Sequence, residues 1–331
     1  MCVLSVKLAN KRFLILRFVV LIAFLFIVLN IVDIELILIY LRDMPIFILA
    51  SLLAINVFRA WLTGLRWQLI NPDITRQLSK WQYFRFIMMA YPFNIIMPGA
   101  LGGDFARTAL TVNAAKEKKI DNVIAIIADR FIGLLSIVIL GTLAFILSRE
   151  IPDKSAFYTF FIVVYSAIIM ILVFLTNSYL SRVFENFASR MGNIGVMLNN
   201  VAEAWQNALS YFKTNKKNVV MGLLLCIPIH VVSFFTAYLI ALFLSINISF
   251  FDISLIIALV WLITAIPISI SGVGVRELSM IYLFSIYGID AEPATALSIS
   301  LYIVTVIMGL LGLLFFVDWK KLSQLIKLRL E

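Results

Sequence analysis

The chain has 331 residues, is 63% hydrophobic and only 14% charged, and carries a formal net charge of +9. A soluble domain is nearer half apolar and a quarter charged, so this balance excludes an ordinary water-soluble enzyme and predicts an integral membrane protein. Lys and Arg gather at the ends of apolar runs, which is the positive-inside pattern of a polytopic chain in contact with anionic lipid rather than a nucleic-acid surface.

The first apolar run covers residues 18–32 and follows Lys7, Lys11, Arg12 and Arg17. No small-residue cleavage site comes after it, so it reads as a retained span rather than a signal peptide. A second run covers residues 46–60. The connection before it carries only Arg42, which places it outside, whereas Arg66, Arg76, Lys80 and Arg85 place the next connection inside. Arg107, Lys116, Lys118 and Lys119 are also inside by the same rule. One full crossing between two inside loops would break it. As a helix, residues 86–98 rise only about 20 Å, short of the roughly 30 Å hydrocarbon core. This stretch is therefore expected to dip in and return.

A span over residues 123–147 follows, then a charge-neutral outside loop and a span over 157–176. Residues 177–217 carry Arg182, Arg190, Lys213, Lys216 and Lys217 and read as an amphipathic, interfacial cytoplasmic segment anchored by Trp205 and Tyr211. A span over 219–246 comes next. The loops at 247–252 and 288–293 contain no Lys or Arg and fit outside, with a second interruption between them. Residues 279–287 are too short to span, so this too should be re-entrant, from the opposite face. A last span, 295–317, leads to a basic tail with Lys320, Lys321, Lys327 and Arg329.

The fold expected is an all-α polytopic membrane protein with about six full spans and two re-entrant helical hairpins in an inverted repeat. The pseudo-repeats cover about 13–147 and 156–317 of a single domain over 1–331, with both termini cytoplasmic at a bacterial-type plasma membrane. A rival reading counts each hairpin arm as a crossing.

The two interruptions look alike. The first runs Asn94-Ile-Ile-Met-Pro98-Gly99-Ala-Leu-Gly102-Gly103-Asp104-Phe-Ala-Arg107 and the second Pro267-Ile-Ser-Ile-Ser271-Gly272-Val-Gly274-Val-Arg276-Glu277. Backbone broken by Pro and Gly cannot face lipid, because lipid cannot satisfy the freed N–H and C=O groups. Two such breaks in matching places point to a substrate site near the midplane of a transporter-like protein.

Arg107 and Arg276 are the candidate ligands for a lipid phosphate, through bidentate guanidinium contacts. Helix-start N–H groups near Gly102 and Gly103 would assist. The alternative for Arg107 and Asp104 is a structural ion pair holding the hairpin to its neighbour. Arg276 and Glu277 are adjacent and point in different directions on a helix, so each should seek a partner elsewhere; Arg276 could reach Asp104. Asp129 and Arg130 lie in an apolar run, where Asp129 could hold Arg107 or Arg276, or the two could snorkel as an interface pair. Arg59 is a possible wall of the lipid path, while Arg66, nearer the cytoplasm, is expected to snorkel. Asn94 can hydrogen-bond freed hairpin backbone. His230 reads as a satisfied buried histidine, Cys226 as an apolar filler, and Gly309 and Gly312 as packing residues. Cys2 and Cys226 form neither a disulfide framework nor a metal spacing, and no cofactor, metal or nucleic acid is expected.

The ordered set Asn94, Met97-Pro98-Gly99, Gly102-Gly103-Asp104, Arg107, Asp129-Arg130, Gly133-Leu134, Pro267 and Gly272-Val-Gly274-Val-Arg276-Glu277 resembles the membrane region of lysylphosphatidylglycerol synthases over nearly the whole chain. The resemblance implies a flippase-like domain that moves phosphate-bearing lipid between leaflets. In the synthases a further cytoplasmic domain transfers the amino acid. This sequence ends shortly after Lys320 without one, so synthase activity is not carried over. Relatives of this kind are associated with phospholipids, hopanoids, glycolipids and polyprenyl-linked carriers. The expected partners are membrane lipids, together with a lipid- or glycan-modifying enzyme; the oligomeric state is left open. Two other readings are a membrane transferase with Asp104 or Asp129 as base, and a membrane scaffold. No nucleophile–base set is visible, so an enzyme is not expected, and no Walker motif points to ATP-driven pumping.

Overall fold

A computed structural model describes residues 35, 42, 45–70, 78–96, 102–115, 119–149, 151–152, 154–176, 210–265 and 272–316. The expected first span, the turn residues Pro98, Gly99 and Pro267, the loop around Trp205 and the basic tail lie outside these residues. Among the described residues the chain is helical, with no strand. In chain order the helices are α1 (Ile46–Ile70), α2 (Lys80–Ile96), α3 (Gly102–Ala115), α4 (Lys119–Leu147), α5 (Lys154–Thr176), α6 (Lys216–Phe243), α7 (Phe250–Thr264), α8 (Val275–Ser285) and α9 (Ala291–Leu314).

Among the described residues four stretches are long and apolar enough to cross a membrane: Ile46–Ile70, Ala125–Leu147, Lys216–Phe243 and Ala291–Leu314. Their outward faces carry exposed Phe58, Ile139, Leu143, Leu224, Val231 and Leu310. So many exposed large apolar side chains suit lipid and not water. Phe157–Met170 and Phe250–Thr264 are further, shorter apolar helices. Taken with these helices, the composition makes the protein an all-helical, multi-pass membrane protein.

The two interrupted regions fold as pairs of short helices. At 1.5 Å per residue, α3, α7 and α8 rise about 21, 22 and 16 Å, less than the roughly 30 Å of a bilayer core. Both pairs begin with a serine cap. Ser79 Oγ accepts the Gln82 N–H at 3.3 Å while Gln82 Oε1 accepts the Ser79 N–H at 2.7 Å, a reciprocal capping box at the start of α2. Ser249 Oγ accepts the Asp252 N–H at 3.1 Å at the start of α7.

The second member of each pair is anchored by a side chain that reaches back to a glycine N–H. Asn94 Oδ1 accepts from Gly103 N at 2.8 Å, and Glu277 Oε2 accepts from Gly274 N at 2.6 Å. Gly272 and Gly274 have φ of 74° and 84°, a region that only glycine enters without steric cost.

Helix α1 runs antiparallel to α6. Asn56, Arg59 and Arg66 bond Thr236, Ser233 and Cys226 respectively, so one number rises as the other falls. Helix α2 packs between α1, α3 and α9, while α7 packs between α6, α8 and α4. Helix α1 also touches α4 and α9, and α6 touches the same two. Gly141 meets Ala258 where α4 crosses α7, and Gly312 meets Met88 and Pro92 where α9 crosses α2. Small residues that let backbones approach are the usual means of packing helices in lipid; the packing role expected of Gly309 and Gly312 is the one the structure gives them.

Candidate functional site

Helical periodicity puts three polar groups of α1 on one face: Arg59, Thr63 and Arg66 follow an i, i+4, i+7 spacing. Opposite them α4 presents Asp129 and Arg130, and α3 presents Asp104 and Arg107. Arg66 binds Asp129 side-on, Nε to Oδ1 at 2.8 Å and Nη2 to Oδ2 at 2.9 Å. Arg107 Nη2 donates to the same Asp129 Oδ2 at 2.6 Å and also reaches Asp104 Oδ1 at 2.8 Å. Asp104 Oδ2 in turn pairs with Arg130. The result is one chain of alternating charge, Arg66–Asp129–Arg107–Asp104–Arg130, that ties α1, α3 and α4 together. Asp129 is 2% exposed and Arg107 5% exposed, so both charges depend on the ion pairs of this network.

Trp67 completes the Arg107 cradle. The guanidinium carbon lies 4.2 Å from the Trp67 ring centroid, a cation–π contact. Trp67 Nε1 donates to Thr111 Oγ1 at 3.2 Å, and Thr111 donates back to the Arg107 carbonyl at 2.6 Å. The Arg107 Nε–H, though buried, donates to no group among the described residues, which leaves one charged donor there unused.

Arg66, Asp104, Arg107, Asp129 and Arg130 line a cavity of about 450 Å³ together with Arg59, Thr63, Tyr91, Asn94, Gly103, His230, Thr264 and Gly272. Its walls come from α1, α2, α3, α4, α6, the end of α7 and the glycine turn before α8. Both interrupted regions therefore contribute to it. Ile87, Leu134, Ile137 and Ile229 add an apolar side. A concave, mostly apolar site with a few convergent polar groups is the usual form of a small-molecule pocket.

Several sequence expectations fall into place here. Asn94 does bond freed hairpin backbone, and a side chain at Gly103 would collide with it. His230 is buried and satisfied, its Nε2 2.9 Å from Ser136 Oγ. Asp129 holds Arg107.

Others are corrected. Arg66 does not snorkel. It is 8% exposed, because a carboxylate faces it from α4. Cys226 is not merely filler, since its sulfur accepts from Arg66 Nη1 at 3.2 Å. Arg276 does not join Arg107 in the cavity lining, nor is it bonded to Asp104. It pairs with its own neighbour, Glu277, through two nitrogens. The reason is the first turn of α8: Glu277 folds back onto Gly274, and Ser298 of α9 binds both side chains, at 2.9 Å each. Arg276 also lies over the Tyr302 ring at 4.9 Å. Of the second motif, Gly272 reaches the cavity.

Sequence reasoning missed Thr63, Tyr91, Trp67, Thr111 and Ser233. The i, i+4, i+7 register of Arg59, Thr63 and Arg66 was the available signal for Thr63; the remaining partners depend on which helices meet.

The assembled features define a membrane-embedded helical domain built around a charged cavity. The chain belongs to the lysylphosphatidylglycerol synthase TM region family, whose model matches residues 14–312. No curated protein and no solved structure matches it.

Proposed function

We propose that this protein is a lipid flippase or lipid transporter, which moves a phosphate-bearing lipid between leaflets with the headgroup in the Arg-lined cavity and the acyl chains in the bilayer. The observation that carries this reading is the cavity itself: four guanidiniums and two carboxylates line it, so it holds an excess of positive charge at a depth where an anion must be paired to enter. The unused Nε–H of Arg107 is one donor such an anion would meet. Family membership agrees with a lipid role.

The helix order supports an inverted repeat. Replacing α1, α2, α3 and α4 by α6, α7, α8 and α9 turns the helix–helix contacts described above into one another. Ser79 and Ser249, Gln82 and Asp252, and Gly102 and Gly272 each lie 170 positions apart, while Gly141 and Gly312 lie 171 apart. The equivalent helices α1 and α6 run in opposite directions, as inverted halves require. In this reading the short helix pairs are re-entrant, and rocking one half against the other would open the cavity to each leaflet in turn.

A transferase reading fares worse. All four oxygens of Asp104 and Asp129 face guanidiniums, so neither carboxylate is presented to a substrate hydroxyl.

The test is leaflet-resolved exchange of a labelled phospholipid in reconstituted vesicles. Native protein should exchange it faster than empty vesicles. Arg107→Ala should lower the rate about tenfold or more, the scale of one lost charge-assisted contact. This variant leaves Asp129 with Arg66 and Asp104 with Arg130, so the residual network stays balanced and the fold should survive. Native exchange no faster than in empty vesicles would end the lipid reading.

A further inference from the structure

The charge network uses up its own cations unevenly. Arg66, Arg107 and Arg130 share Asp104 and Asp129 among them. Arg59 lines the same cavity and belongs to no ion pair among the described residues. It is held by two neutral oxygens: Nη1 donates to Ser233 Oγ at 3.1 Å and Nη2 to Tyr91 Oη at 3.2 Å. Those bonds come from α6 and α2, and they fix the guanidinium without neutralising it. A charge partly buried in an apolar span and given only neutral partners is costly, and such residues are kept where a ligand supplies the counter-charge.

We propose that Arg59 is the primary anion ligand of the cavity and binds a phosphate group, with Arg107 as the secondary contact. The hydroxyls of Tyr91 and Ser233 act as positioning groups. They hold the planar fork across the gap between α2 and α6, and a guanidinium so fixed matches phosphate oxygens bidentately. Arg66 and Arg130 are then structural cations: each is committed to a carboxylate and has little left to offer.

This assignment also accounts for the lack of chemical symmetry between the halves. The position in α6 that corresponds to Arg59, 170 residues on, is Ile229. A single uncompensated cation near the meeting of the two halves can serve a ligand approached from either side. The phosphate could belong to a lipid headgroup or be free in solution. The inference takes its lipid source from the flippase reading above but not its anion chemistry, so the two can fail separately.

Three cargoes distinguish the outcomes in vesicles carrying native protein, Arg59→Ala or Arg59→Lys: short-chain fluorescent phosphatidylglycerol, a monoglucosyl diacylglycerol with the same chains and no phosphate, and inorganic phosphate. Arg59→Ala should lower phosphatidylglycerol exchange about tenfold or more, with Arg59→Lys in between because it restores charge without the fork. The apparent unfolding temperature should hold to within a few degrees, since only two neutral hydrogen bonds are lost. Native-rate phosphatidylglycerol exchange by Arg59→Ala would overturn the assignment, as would native exchange of the phosphate-free glycolipid at the phosphatidylglycerol rate. Arg59-dependent uptake of inorganic phosphate without lipid exchange would keep Arg59 as the ligand and remove the lipid reading. If none of the three cargoes moves, binding of short-chain phosphatidylglycerol decides: loss of binding in Arg59→Ala keeps the assignment, and equal binding overturns it.

Discussion

Asp129→Asn should be the most damaging conservative substitution in the chain. Asp129 is the one acceptor for two guanidiniums from different helices, Arg66 of α1 and Arg107 of α3, at 2.6–2.9 Å. It is 2% exposed, so water cannot replace it. Asparagine has almost the same shape but presents an amide N–H₂ where one oxygen faced a donor, and it removes the charge that both arginines need. Breaking a buried pair by deleting one partner costs about 3–5 kcal/mol, mainly because the other charge is left unpaired; here Arg66 is left with no carboxylate among the described residues, and Arg107 must share Asp104 with Arg130. The apparent unfolding temperature in detergent should fall sharply, and lipid exchange should fall with it.

A compensated pair separates charge from shape. Asp129→Asn combined with Arg66→Met removes one stranded cation and replaces its stem with an apolar chain of similar length. It should recover part of the loss, and a double-mutant cycle would report a coupling of about 1 kcal/mol or more between these contacting residues. An unfolding temperature for Asp129→Asn within a degree or two of native would mean that Asp129 does not hold the two arginines as described.

The contrast between Arg66 and Arg276 marks how far the amino-acid sequence could be read. Apolar run lengths located the long helices α4, α6 and α9, because a 3.6-residue spiral twenty or more residues long is a local property. The Pro and Gly breaks located both short pairs for the same reason. Helix α2 was found only in part. It starts at Lys80 rather than at Phe86, because Lys80, Gln82 and Arg85 dilute its hydropathy while the Ser79–Gln82 box holds its first turn.

Side-chain destinations were harder to see. Arg66 looked like a snorkelling residue because nothing on α1 reveals that α4 brings Asp129 against it. Arg276 looked like the partner of Arg107 because the two motifs match in sequence. The chemistry of the halves diverges, however: α4 offers a carboxylate to Arg107, whereas α9 offers Ser298 and Tyr302 to Arg276. Arg66 and Arg107 go where helix packing brings Asp129, whereas Arg276 keeps the counter-charge beside it in its own motif, Glu277.

Gly312→Val should be nearly as harmful, for steric rather than electrostatic reasons. Pro92 lies inside α2 and has no N–H to give the Met88 carbonyl four residues back. Helix α9 covers that carbonyl with Gly312, and a Cβ there would collide with the Met88 oxygen and lie 3.1 Å from Pro92 Cδ. Neither obstacle is the end of a flexible side chain. A branched residue must therefore push α9 off α2, uncovering the Met88 carbonyl and opening the contact that aligns Tyr91 and Asn94 with the cavity.

Overpacking of this kind typically costs about 1–3 kcal/mol, occasionally more, and valine at a backbone collision belongs at or above the upper end. Gly309→Ala is the graded comparison, because the atom it first meets is the movable Cδ1 of Ile95; it should cost less. Gly133→Ala, whose new methyl would come no nearer than 3.7 Å to Arg66 Nη1, should be tolerated. Unfolding temperatures ranked Gly133→Ala above Gly309→Ala above Gly312→Val would support the α2–α9 contact. A native-like Gly312→Val would refute it, and with it the route by which the first short helix pair is held against the last span.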